Sequence, residues 1–500
     1  MSENQIIAPD RITTGIEGLD LILGGGLPRN RLYLVQGDPG TGKTTMGMQF
    51  LLEGLKQGES VLYVTLSESQ EELRASAASH GWSLDGIQVQ DLAVSNDAIN
   101  KETNYTVFHP SEVELDETTR AVLDQVERIN PQRLVFDSLS EMRMLASDSL
   151  RFRRQILALK QYFINKKCTV MLLDDKTSEF SDRQLESIAH GVISLRYVPT
   201  EYGKQRHTIQ VAKMRSVNFQ SGAHDFNIDT GGIVVFPRLS STDEVHTTAG
   251  HQLLSGDANM DELVGGLNYG TSTILTGPAG VGKSTLSMVY INAAANKGER
   301  SAIYLFDESS ETLFLRTDAL GLPIRKHVES GMIILRQIKL AELTPGEFAH
   351  LIREEVERMG TRIVVIDSVN GYMMATPQER FLMMQFHELL SYLNHKGVIT
   401  ILIVGQQGLI GHMQSPIDMS YLADSVVMLR YFEAEGRVRQ AISMLKKRTG
   451  KHERSVREYR IDQGGLVLGK PLTEFRGVLT GVPVYHGNEE GLMRKGERDR

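Results

Sequence analysis

The sequence predicts an α/β protein of two tandem domains, each a mostly parallel β-sheet flanked by helices. Three observations predict it: the chain repeats itself once at a period of about 240 residues, short apolar runs alternate with longer amphipathic stretches, and a glycine-rich loop follows an apolar run in each half. Apolar runs without polar alternation suit strands buried on both faces, and helical stretches between them supply the crossovers that parallel pairing needs.

The repeat is read from ordered landmarks. GDPGTGKTT at Gly37–Thr45 returns as GPAGVGKST at Gly277–Thr285, with Lys43 and Lys283 240 positions apart. Thr14-Gly15 with Leu19-Asp20 returns as Ser255-Gly256 with Met260-Asp261, and VLYVTLSES (Val61–Ser69) as AIYLFDESS (Ala302–Ser310). RLVFDSLSE (Arg133–Glu141) and VAKMRS (Val211–Ser216) return as RIVVIDSVNG (Arg362–Gly371) and MLKKRT (Met444–Thr449). So long a period means two whole domains, not a solenoid. The expected domains are 1–242 and 243–486, joined within Phe236–Gln252, with a loose charged tail at 487–500.

The apolar runs Arg31–Gln36, Val61–Leu66, Leu134–Phe136, Cys168–Leu173, Ile363–Ile366 and Val398–Val404 are the expected strands. Glu117–Ile129 and Phe381–Leu393 carry helical spacing, and Thr208–Lys213 and Gln440–Lys446 read as hairpins on the sheet edge. Composition agrees with folded domains: 41% hydrophobic and 23% charged residues over 500 positions. A single cysteine, Cys168, excludes an internal disulfide framework and suits a reducing compartment. MSENQIIAPDR lacks the basic and apolar regions of a secretory signal, and no run reaches 18 apolar residues, so a soluble cytoplasmic protein is expected. Net charge is −8, which gives no general electrostatic reason to bind nucleic acid.

The spacing G-x-x-x-x-G-K-[ST] is met twice. The candidate phosphate-binding residues are Gly37, Asp38, Pro39, Gly40, Thr41, Gly42, Lys43, Thr44 and Thr45, and Gly277, Pro278, Ala279, Gly280, Val281, Gly282, Lys283, Ser284 and Thr285. Glycines let backbone N–H groups converge on phosphate oxygens at a helix N-terminus, the lysine neutralises the β/γ-phosphates, and Thr44 or Ser284 would ligate Mg²⁺. Asp137 and Asp367 end apolar strands and are placed to hold that Mg²⁺. Glu68 and Glu308 follow the next strand and are candidates to orient or deprotonate an attacking water. The halves differ here: Ser67-Glu68 offers one carboxylate, Asp307-Glu308 two. Lys213 with Arg215, and Lys446 with Arg448, are spaced two apart on predicted strands and so share a face. A solvated basic face and a cationic finger reaching a neighbouring subunit's nucleotide are both open on the sequence.

Taken together these residues resemble the KaiC family of tandem RecA-like P-loop ATPases, over about Thr13 to Pro483. The resemblance implies ATP rather than GTP, a homohexamer with ATP at subunit interfaces in two tiers, a hydrolytic first tier, and a second tier that is a serine/threonine autokinase. It implies that the family's Glu-Glu pair stands at Ser67-Glu68 and Asp307-Glu308, and that its Ser-Thr phosphoacceptor pair stands at Ser420-Tyr421. Ser420 is thus the candidate phosphoacceptor, and Glu186 lies opposite it in the first half. A serine there could equally cap a helix. Partners implied are further copies of the chain and an adaptor or two-component signalling protein, in a signalling or timing switch. A nucleic-acid motor is the rival reading. Gly405–Pro416 carries no Lys or Arg, and Asp174–Ser187 is acidic, where a motor needs cationic loops. A nucleotide-gated docking platform with little catalysis is the third.

Overall fold

The computed structural model describes residues 10–92, 110–146, 148–176, 185–199, 204–239, 251–339, 342–374, 379–406, 408, 419–480 and 483–486. The tail 487–500, most of the junction 236–252, and most of loops 405–416 and 174–187 lie outside them. The chain divides into two compact units, Met1–Arg238 and Leu239–Arg500.

The first unit holds β1 (Leu32–Gly37), α1 (Lys43–Lys56), β2 (Val61–Thr65), α2 (Gln70–Ser79), β3 (Gln88–Asp91), α3 (Pro110–Ile129), β4 (Arg133–Asp137), α4 (Ser149–Asn165), β5 (Thr169–Asp175), β6 (Gly191–Val198), β7 (Arg206–Met214), β8 (Ala223–Asp229) and β9 (Gly232–Phe236). They form one nine-stranded sheet in the order β9-β8-β7-β6-β1-β5-β4-β2-β3. From β6 through β3 neighbours pair parallel, and β6 to β9 form an antiparallel run of hairpins. Every residue of β1, β2 and β4 is buried, because helices cover both faces. Tyr33 and Val35 of β1 pack with Met46, Met48, Phe50 and Leu51 of α1 on one face. Leu32 and Leu34 pack with Val122, Val126, Phe152, Ile156 and Phe163 of α3 and α4 on the other.

The second unit repeats the plan with β10 (Ser272–Gly277), α5 (Lys283–Asn296), β11 (Ser301–Leu305), α6 (Ser310–Ala319), β12 (Ile333–Gln337), α7 (Pro345–Met359), β13 (Ile363–Asp367), α8 (Glu379–His395), β14 (Ile399–Gly405), β15 (Ser425–Ala434), β16 (Arg437–Lys447), β17 (Val456–Asp462) and β18 (Gly465–Pro471). Its strand order, β18-β17-β16-β15-β10-β14-β13-β11-β12, is the same with nine added to each number.

Register refines the repeat. Thr65 pairs with Asp137 and Leu305 with Asp367, so β2 and β11 superpose at an offset of 240, not the 241 that aligning the two tyrosines gives. Helix caps agree: Ser69 and Ser309 cap α2 and α6 by accepting from the N–H groups of Glu72 and Thr312. One residue of slip reverses the face. Tyr63 therefore points toward α1, where its hydroxyl donates to Asp137 Oδ2 at 2.6 Å. Tyr304 points to the opposite face, among Phe348 and Tyr372, and its hydroxyl donates to the buried Glu355, whose other partner is Arg336. Tyr304→Phe should cost about 1–3 kcal/mol, the range for deleting a hydrogen bond to a buried charge, seen in calorimetry as an earlier transition of the second unit.

Candidate functional site

Each glycine-rich loop is built by a close approach. A Cβ on Gly277 would sit 2.2 Å from the Leu429 carbonyl oxygen of β15, and one on Gly37 2.6 Å from that of Leu195 in β6. Only glycine lets the loop leave its strand there. Gly42 and Gly282 then take φ of 91° and 100° as N-caps of α1 and α5, a region that favours glycine. The result in each unit is a turn of backbone N–H groups over a helix N-terminus, the cradle a phosphate takes.

In the first unit Lys43 Nζ donates to the carbonyls of Gly37 at 3.0 Å and Asp38 at 2.9 Å and forms an ion pair with Asp175 Oδ1 at 2.6 Å. Thr44 Oγ1 donates to Asp137 Oδ2 at 2.9 Å, the same oxygen that Tyr63 reaches. Burial pushes the Asp137 carboxyl above its usual range. Glu68 is also raised, by burial and then by the charges of Asp137 and Glu72, and among the described residues no cation pairs with it. His80 closes the side of the loop, with Nε2 at 3.4 Å from Thr45 Oγ1.

In the second unit Lys283 Nζ donates to the carbonyls of Gly277 at 2.9 Å and Pro278 at 2.7 Å. Gly405 occupies the register position of Asp175, so the acid partner of Lys43 has no counterpart at that position. Asp367 is buried, and burial pushes its carboxyl up to about 6, against the pull of the nearby Ser284 hydroxyl, with Glu308 and Asp307 adding to the rise. Its Oδ2 is buried and has no hydrogen-bond partner among the described residues. Asp307 is exposed and accepts from the Ser368 hydroxyl. Glu308 is gripped at both oxygens by Arg316 of α6, Nη1 to Oε2 at 2.9 Å and Nη2 to Oε1 at 2.7 Å.

A hydroxyl beside a carboxylate at the foot of a phosphate cradle is a hard-oxygen donor set, which suits a divalent cation shared with phosphate oxygens. Asp367 Oδ2 leaves an open acceptor for it. Among the described residues no three His, Cys, Asp or Glu side chains converge to hold a metal alone. A cleft of about 330 Å³ opens on the second loop, lined by Lys283, Ser284, Thr285 and Arg316 at its polar end and by Ala319, Leu320 and Ile461 at the other.

The two K-x-R pairs stand elsewhere. Lys213 donates to the carbonyls of Glu186 and Ala189, and Arg215 to that of Ser187. Lys446 donates to the carbonyls of Ser420 at 2.7 Å and Ala423 at 2.8 Å, and Arg448 to Tyr421 O and Asp424 Oδ1. In both units a β-bulge lies one step before the lysine, between Val192 and Ile193 and between Val426 and Val427. Each bulge re-aims the end of its strand. These cations cap the turn leading into β6 or β15, near the start of the central strands rather than at their P-loop end.

The sequence signals missed Asp175, Tyr63, His80 and Arg316. A strand-terminal acid beside the P-loop strand was the available sign for Asp175, and the mismatch of Ser76 against Arg316 at the refined offset the sign for Arg316.

A family model described as "ATPase: KaiC" matches residues 12–240 and 255–473. The chain is 26% identical over 490 residues to "Circadian clock protein KaiC3" of Synechocystis sp., covering 96% of each chain. It is 25% identical over 501 residues to "Circadian clock oscillator protein KaiC" of Picosynechococcus sp., covering 98% of this chain and 96% of that one. To the protein of that name from Thermostichus vulcanus it is 26% identical over 503 residues, covering 98% and 95%. No helix among the described residues is long and apolar enough to cross a membrane. With both cradles built and the family model matched in each half, the chain belongs to the KaiC family of ATPases and is an ATP-binding protein of two tandem RecA-like domains.

Proposed function

We propose that both units bind ATP with Mg²⁺ and hydrolyse it slowly, that copies assemble head to tail into a homohexamer, and that the second unit passes phosphate to Ser420 of the neighbouring copy. The protein then works as a cytoplasmic signalling or timing switch, read by an adaptor or two-component partner. The observation that carries the reading is the complete cradle in each unit with a hydroxyl and a carboxylate at its foot, Thr44 bonded to Asp137 and Ser284 near Asp367. Thr44, Asp137, Ser284 and Asp367 would hold Mg²⁺, which supplies charge neutralisation of the phosphates. Glu68 and Glu308 would orient the water, with Asp307 beside Glu308.

The positions of the other groups support assembly in a ring. Asp424 N–H bonds to the carbonyl of Ser272, at the start of β10, whereas the cradle begins at Gly277. Five residues of strand at about 3.3 Å each separate them, roughly 17 Å, too far for Ser420 to meet a phosphate held by its own chain. Lys446 and Arg448 share that far edge, as Lys213 and Arg215 do in the first unit. A heterologous head-to-tail contact sets one copy's far edge against the next copy's cradle, and such contacts form a ring where the rotation between copies closes.

Nucleotide binding by calorimetry should give two sites per chain, one in Lys43→Ala and one in Lys283→Ala. Turnover should fall about 100-fold at the mutated site in Glu68→Gln or Glu308→Gln. Unchanged turnover in both would leave a docking platform. After incubation with ATP, mass spectrometry should find phosphate on Ser420. Lys283→Ala and Ser420→Ala chains should each stay unmodified alone, while their mixture regains phosphate on the Lys283→Ala chain. No regain would mean transfer within one chain, and no phosphate on residues 415–425 of the parent protein would remove the kinase.

A further inference from the structure

The two units dispose of their second-strand glutamates differently. Ser309 caps α6 and Ser69 caps α2, so Glu308 and Glu68 each precede the cap by one residue. Two turns into the helix the second unit has Arg316 where the first has Ser76. Arg316 closes a two-point ion pair on Glu308, with side chains 31% and 19% exposed. A fork-to-carboxylate pair of this kind is strong and directional. Yet Arg316 also lines the cleft over the second P-loop, beside Ser284 and Thr285, and its buried Nε has no hydrogen-bond partner among the described residues. A guanidinium matches a phosphate as well as it matches a carboxylate.

We propose that Arg316 is a nucleotide-responsive positioning residue of the second site: its guanidinium passes between the Glu308 carboxylate and a phosphate of the bound nucleoside triphosphate, so that binding frees Glu308. The first site, with Ser76 in this place, has no such exchange. The inference rests on the reading of the second cleft as an ATP site. An incoming polyphosphate and Glu308 compete for one fork, and weakening either claim strengthens the other. Thermodynamic coupling between Glu308 and Arg316 in nucleotide affinity is the consequence, and a merely structural ion pair does not produce it.

The test is a double-mutant cycle in the full chain with the first site silenced by Lys43→Ala. The probe is a non-hydrolysable ATP analogue with Mg²⁺, and the readout is Kd by calorimetry. Arg316→Ala should weaken binding about tenfold, the effect of losing one charge-assisted contact. Glu308→Gln should tighten it several-fold by releasing the fork, and that gain should vanish in the Arg316→Ala background. Arg316→Lys keeps the charge but not the two-point grip, so it should bind at least as tightly as the parent and serves if Arg316→Ala fails to fold. Equal gains from Glu308→Gln with and without Arg316, or no loss in Arg316→Ala, overturn the exchange. If the Lys43→Ala chain shows no saturable binding at all, the ATP-site reading itself fails.

Discussion

Parallel strands all end at the same edge of a sheet, and that constraint sets every charged group at both sites. β1, β2, β4 and β5 point one way, so the P-loop after Gly37, Glu68, Asp137 and Asp175 gather at one edge. β10, β11 and β13 do the same for Gly277, Glu308 and Asp367. In open α/β sheets this carboxyl edge is where ligands bind. The antiparallel hairpins have the converse effect. They turn back at β7 and β16 and return Lys213, Arg215, Lys446 and Arg448 to the starting edge. One sheet thus carries a phosphate cradle at one edge and paired cations at the other.

Within that shared frame the two sites trap opposite charges. The first holds its P-loop lysine on an acid, Asp175, and leaves Glu68 without an ion pair among the described residues. The second leaves Lys283 on backbone carbonyls and holds its glutamate on Arg316. The substitutions responsible are small: Asp175 against Gly405, Ser76 against Arg316, and the tyrosine that reaches Asp137 in one unit and has no equivalent hydroxyl at Asp367 in the other. None changes the backbone plan: Asp175 and Gly405 sit at strand ends, Ser76 and Arg316 on a helix face, and Tyr63 inside a strand whose ladder is kept in both units.

How far the sequence could be read follows from how local each signal is. The P-loops, Asp137, Asp367, Glu68 and Glu308 were legible because a handful of adjacent residues defines each, and the strands because runs such as Leu134–Phe136 are buried on both faces. That same double burial erased the phase. An apolar run with no alternation does not say which residue faces which way, so matching Tyr63 to Tyr304 was natural and was off by one residue. Only the Thr65–Asp137 and Leu305–Asp367 pairings settle it. Arg316 was hidden for a different reason: its partner lies eight residues back, outside the helix that carries it. The lysines at 213 and 446 were placed on the right strands, but the bulges that turn their ends toward the 185–189 and 420–423 carbonyls have no sequence mark.

These differences bear on what an entering nucleotide meets. At the first cradle the polyphosphate competes with Asp175 for Lys43, and the displaced carboxylate stays close to the new negative charge, so part of the attraction is spent on separating a pair. At the second cradle burial already holds the Lys283 ammonium below its usual range, and no acid stands on it among the described residues. There the phosphate meets a lysine held by two backbone carbonyls, while Glu308 is the group held in an ion pair. The first unit therefore restrains its P-loop lysine and the second its second-strand glutamate. Two cradles built on one repeated plan thus differ in the charges an incoming phosphate meets, through side-chain exchanges and not through the backbone.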